Sequence, residues 1–74
     1  MFIILEIQES EYGVTPATLV FTAATKNEAL SKWHEILKYA AVSSLYRHSA
    51  VVLDTEGKAI ARESYEHING GISE

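Results

Sequence analysis

Two tetrads of the same design, Ser10-Glu11-Tyr12-Gly13 and Asp54-Thr55-Glu56-Gly57, constrain this chain more than any other feature. In each, a polar residue that suits the first turn position is followed three residues later by glycine. That pattern reads as a type I turn closed by a left-handed glycine. Each tetrad lies between runs that can alternate as strands. A single segment of helical period separates the two hairpins, which gives the plan ββαββ. Turns of this kind set strand register, and register decides which side chains share a face.

The first hairpin is expected over residues 2–9 and 14–22. With Gly13 at the bulge position, Ser10 faces Val14. Ile7 then opposes Ala17, Leu5 opposes Leu19 and Ile3 opposes Phe21, which makes one apolar face. The other face carries Gln8 against Pro16, Glu6 against Thr18, Ile4 against Val20, and Phe2 against Thr22. The second hairpin is expected over 45–54 and 58–67. With Gly57 as the bulge, Asp54 faces Lys58, Leu53 opposes Ala59 and Val51 opposes Ala61, again a core-like face. Its reverse side pairs Val52 with Ile60, Ala50 with Arg62, His48 with Ser64, and Tyr46 with Glu66.

The helix is expected at 25–43. Thr25 followed by Glu28 is a capping box, in which the hydroxyl and the carboxylate satisfy backbone donors of the first turn. Ile36, Ala29, Ala40, Trp33, Leu37, Leu30 and Ala41 fall on one arc at helical spacing, while Lys32, Glu35, Lys38, Asn27 and Ser31 lie opposite. Trp33 sits near the centre of the arc, so it is the expected core anchor over Ile3, Leu5, Leu19 and Phe21. Pro16 lacks an N–H and belongs on an edge strand. A right-handed crossover from the second strand to the third, stepping over the first, keeps it there. The expected fold is therefore α+β in two layers: a four-stranded antiparallel sheet of order 2-1-3-4 with one helix on one face.

A chain of 74 residues holds one domain, expected at 1–68 with a flexible tail at 69–74. With no cysteine, disulfides and cysteine-ligated zinc are excluded. Ten acidic against six basic residues make the chain mildly anionic. Scattered positive charge of this kind is a poor surface for tracking phosphates, so no nucleic-acid partner is expected. The apolar start at Phe2-Ile3-Ile4-Leu5 is too short for the core of a signal peptide, and nothing reaches membrane-spanning length. A cytoplasmic location without membrane contact follows as the default.

The chemistry-bearing residues form no catalytic pattern. His34, His48 and His67 lack the spacing of a metal site, no loop has the glycine pattern of a phosphate cradle, and no cofactor is expected. Tyr46, His48, Arg62, Ser64 and Glu66 would share the reverse face of the second hairpin, but a flat sheet offers no water-poor pocket for catalysis. The same reverse face would carry Phe2, Ile4, Val20, Val52 and Ile60. An apolar group of that size on the uncovered side of a sheet marks a contact surface. Phe2, Ile4, Val20, Tyr46, His48, Val52, Ile60 and Arg62 are thus the expected interface, and a homodimer is its simplest occupant. Two alternatives are an inhibitor that offers the acidic loops Glu9-Ser10-Glu11 and Asp54-Thr55-Glu56 to a basic site on a host protein, and a small enzyme using His48.

The segment Asn27-Glu28-Ala29-Leu30-Ser31-Lys32-Trp33-His34-Glu35-Ile36-Leu37, then Ala40-Ala41-Val42-Ser43-Ser44 and the hairpin stretch His48-Ser49-Ala50-Val51-Val52-Leu53-Asp54-Thr55-Glu56-Gly57, with Glu63, Tyr65 and His67 closing the last strand, carry a resemblance. Over roughly residues 1–67 the chain resembles a group of very short, uncharacterised proteins of low-GC Gram-positive bacteria and their phages or mobile elements. The resemblance implies the strand-pair, helix, hairpin plan and a phage or mobile-element setting. It implies no activity and no catalytic residue. A non-enzymatic interaction or accessory protein is the function expected on these grounds.

Overall fold

The computed structural model describes residues 1–10, 16–43 and 45–67. Its elements are β1 (Phe2–Glu9), β2 (Ala17–Ala23), α1 (Lys26–Ala40), β3 (Arg47–Asp54) and β4 (Ala59–Glu66). The four strands form one antiparallel sheet in the order β2-β1-β3-β4. The helix lies across one face, so the expected class, layer plan and strand order are all present. The turn around Gly13 and the expected tail lie outside the described residues.

Local chemistry accounts for the boundaries. Thr25 is the N-cap: its hydroxyl accepts from the Glu28 N–H at 3.2 Å, and the Glu28 carboxylate accepts from the Ala24 N–H at 3.3 Å. The helix stops at Ala40, three residues before the expected end, and the following turn bonds Val42 N–H to the Tyr39 carbonyl and Ser43 N–H to Ala40. The second hairpin turn is as read. Gly57 takes φ +87°, Asp54 N–H donates to the Lys58 carbonyl, and the Asp54 carboxylate accepts from the N–H groups of Glu56 and Lys58 at 2.9 Å each.

Register is where the structure departs from expectation, and the departure exchanges the faces of both central strands. In the first hairpin Ile4 opposes Phe21 and Leu5 opposes Val20, one residue away from the expected pairs. In the second, Leu53 does oppose Ala59, but Val52 opposes Ala61. Ile60 is therefore the extra residue of a bulge in β4, and beyond it every pair is shifted by one. Because strand side chains alternate, a one-residue slip sends a whole set to the opposite side.

The core under α1 is built from Ile4, Ala29, Ile36, Ala50 and Val52, all buried, with Phe2, Phe21, Ala23, Leu30, Trp33, Leu37, Ile60 and Ala61 packed around them. The expected helix arc is the one that faces inward, and Leu19 and Phe21 keep the side assigned to them. The strands β1 and β3 do not: Ile4 and Val52, expected on the open side, are fully buried beneath the helix. Trp33 is the anchor, but over β3, where its indole Nε1–H donates to the Ala50 carbonyl at 3.1 Å. The bulge lets two consecutive residues of β4, Ile60 and Ala61, both meet the core.

Candidate functional site

With the even-numbered residues of β1 and β3 turned to the helix, the odd-numbered ones form the opposite face, which no described helix or strand covers. The cross-strand rows can be followed from β2 to β4. Thr22, Ile3, Leu53 and Ala59 make the first row. Val20, Leu5, Val51 and Arg62 make the second, and Thr18, Ile7, Ser49 and Ser64 the third. Glu9, Arg47 and Glu66 form the last row, on three strands only. Six aliphatic side chains therefore meet across β2, β1 and β3: Ile3, Leu5, Ile7, Val20, Val51 and Leu53. Val20 is 62% exposed, and the other five are half-buried. A shallow depression runs beside them, lined by Ile7, Ser49, Val51, Arg62 and Ser64.

One end of this face is polar and tied down. Arg47 donates from Nε and Nη2 to Glu66 at 3.0 and 2.5 Å, and from Nη1 to Glu9 at 3.2 Å. The three groups bridge β1, β3 and β4. The hydrogen bond and negative charge of Glu66, and then the charge of Glu9, raise the Arg47 pKa above its ordinary value.

The structure divides the eight expected interface residues. Val20 and Arg62 lie on the uncovered face. Phe2, Ile4, Val52, Ile60 and His48 lie on the helix side, and Tyr46 precedes β3 with its ring under the Arg47 guanidinium, 5.6 Å away. The aliphatic residues that take their place, Ile3, Leu5, Ile7, Val51 and Leu53, are ones the expected register puts in the core. Both sides of β1 and β3 are apolar, so hydrophobicity alone did not separate them.

Two buried histidines form a second feature, on the helix side. His48 Nε2 lies 2.6 Å from Glu6 Oε2, and the Glu6 carboxylate also accepts from Gln8 Nε2 at 3.2 Å. A carboxylate accepts, so the short contact places the proton on Nε2 of His48. His67 Nε2 donates to the Ala40 carbonyl at 3.0 Å, one of the carbonyls that the helix end leaves without an intrahelical partner. In both rings Nδ1 is buried without a hydrogen-bond partner. This arrangement ties β1 to β3, and the end of β4 to the end of α1. Neither ring lines the depression on the opposite face, where Ser64 lies. His34 is exposed and lies edge-on to Trp33, with ring centroids 4.9 Å apart. Among the described residues, no three His, Cys, Asp or Glu side chains are placed to hold a metal ion. Among the described residues no helix is long and apolar enough to cross a membrane.

Two acidic side chains of the expected loops, Asp54 and Glu9, are turned to internal use. The Asp54 carboxylate holds its own turn, and Glu9 is paired with Arg47. Comparison with known proteins adds nothing to this geometry: no protein-family model, curated protein or solved structure matches the chain.

Proposed function

We propose that the protein is a non-enzymatic interaction protein that associates with a second copy of itself through the uncovered face of its sheet. The accessory role in a phage or mobile element implied by the sequence resemblance belongs to the same reading. The observation that carries it is the aliphatic group Ile3, Leu5, Ile7, Val20, Val51 and Leu53, contiguous over three strands on the side away from the helix. A contiguous apolar surface of this kind lowers its free energy by about 25 cal/mol for each Å² removed from water. The polar row of Glu9, Arg47 and Glu66 bounds one end of it, as a rim bounds an interface.

The enzyme alternative receives no support, because His48 sits beneath the helix beside Glu6 and away from the open depression. The inhibitor alternative is weakened, because Glu9 and Asp54 are engaged within the molecule, and of the described acidic groups named for it only Glu56 stays exposed on the turn.

Leu5→Glu places a carboxylate in the middle of the face, on a side chain that is only half-buried in the free chain. Light scattering after size exclusion at tens of micromolar should show the wild-type chain associated and the variant reduced in mass by at least half, with its circular dichroism retained. Unchanged mass in the variant removes this reading.

A further inference from the structure

We propose that β2 is a homotypic pairing edge, which joins the strand to the β2 of a second copy in an antiparallel register centred on Val20. β2 is the outermost of the described strands on its side of the sheet, so among the described residues one row of its backbone N–H and C=O groups has no strand beside it. Folded proteins defend such rows with charges, proline, glycine or bulges. The opposite edge, β4, carries Arg62, Glu63 and Glu66 as well as the bulge at Ile60. β2 carries none of these over Ala17-Thr18-Leu19-Val20-Phe21-Thr22-Ala23, and Pro16 stands just outside it. Lys32 in α1 lies above the strand and not in it. Its ammonium already lies 4.2 Å from the centre of the Phe21 ring and 3.5 Å from Glu35.

The order of residues in β2 names the occupant. Read in either direction the strand is the same, except that Leu19 exchanges with Phe21. An antiparallel pair about a two-fold axis through Val20 sets Ala17 against Ala23 and Thr18 against Thr22. It sets Leu19 against Phe21, and Val20 against itself. Each position then meets its own residue type or another large hydrophobe, and threonine pairs and aromatic–aliphatic pairs are among the favourable cross-strand combinations. No unrelated strand is required to supply this match; the chain supplies it to itself. The strand is also open to a partner, since Ala17, Thr18, Leu19, Val20 and Thr22 are all exposed. The axis stands perpendicular to the sheet, so both helices lie on one side and the two uncovered faces merge into that of an eight-stranded sheet.

This edge contact is distinct from the face contact proposed above although Val20 belongs to both surfaces, so the cysteine pairs below, which report strand register, and Leu5→Glu tell them apart; both contacts together close a tetramer in which two such sheets pack face to face. The test uses the one position that meets itself. Val20→Lys and Val20→Glu should each weaken the edge contact at least tenfold, because like charges directly opposite repel. An equimolar mixture should re-form it with one chain of each kind, as native mass spectrometry reads. Opposite residues in an antiparallel pair have Cα atoms roughly 4.5–5.5 Å apart, within disulfide reach. The chain has no cysteine of its own. Val20→Cys should therefore oxidise to a covalent dimer. Thr18→Cys should stay unlinked alone and link when mixed with Thr22→Cys. Unchanged association in Val20→Lys, a mixture that stays apart, or a Val20→Cys chain that stays monomeric under oxidation overturns the proposal. Leu5→Glu separates the two readings: it leaves the edge-paired dimer intact, whereas a monomer from Leu5→Glu alone assigns all association to the face.

Discussion

The indole of Trp33 does two things at once. Its ring packs against the buried cluster of Ile4, Ala50 and Val52, and its Nε1–H satisfies the Ala50 carbonyl 17 residues away. The two contributions can be separated by substitution. Trp33→Ala removes the ring and the bond and should cost about 3–5 kcal/mol, which in a domain this small shifts much of the population to the unfolded state. Trp33→Phe keeps most of the apolar area and loses the donor, and should cost about 1–2 kcal/mol. Urea denaturation of the three chains reads both. The pair Glu6–His48 belongs to the same scale. His48 is 5% exposed, so Glu6→Ala leaves its ring N–H without an acceptor in a place water does not reach. The expected loss is about 1–3 kcal/mol. A Glu6→Ala/His48→Leu double variant should recover part of it, because both polar groups are then gone. No recovery in the double variant would mean that the pair is not the unit through which these residues act.

Capping, turn and bulge govern the elements, and they differ in how openly the sequence displays them. The helix start is carried by local chemistry, since Thr25 and Glu28 need only each other and the first-turn backbone. Thr25→Ala should destabilise by about 1 kcal/mol. The second turn is equally local. Gly57 at φ +87° has nothing within 4 Å of where a Cβ would stand, so Gly57→Ala costs only the backbone strain, about 1–2 kcal/mol. Gly57→Asn should cost less, because asparagine tolerates that region; equal losses in the two variants would count against strain as the cause. These features, with the inward arc of the helix and the strand order, were legible because each is set within a few residues or by a general rule of connection. The sides of β1 and β3 were not. Ile3, Leu5 and Ile7 are as apolar as Phe2 and Ile4, so alternation marks no inner face. The bulge at Ile60 follows two regular positions after a correctly read turn and carries no glycine to mark it. The candidate surface was accordingly legible as a property, an apolar side left uncovered, and only Val20 and Arg62 of its expected residues lie on it.

At the scale of the whole molecule, one helix covers one side of a sheet that is apolar on both. Four strands with a single covering layer leave the aliphatic rows of β1 and β3 to be closed by something other than this chain's helix. Net charge then decides how that closure responds to salt. The chain carries a formal charge of -4, so two copies repel at long range even as their apolar faces attract. Screening reaches about 10 Å at 0.1 M salt and about 3 Å at 1 M. Added sodium chloride should therefore tighten self-association, and sulfate should tighten it further by favouring burial of apolar surface. A contact made by acidic loops on a basic partner would respond in the opposite sense, because the same screening removes its attraction. Sedimentation equilibrium of the wild-type chain from 0.02 to 0.5 M salt, roughly the range over which the screening length falls most, reads the sign directly. A dissociation constant that falls with salt is the expected outcome. One that rises would place the attraction in charges and take the aliphatic rows out of the contact.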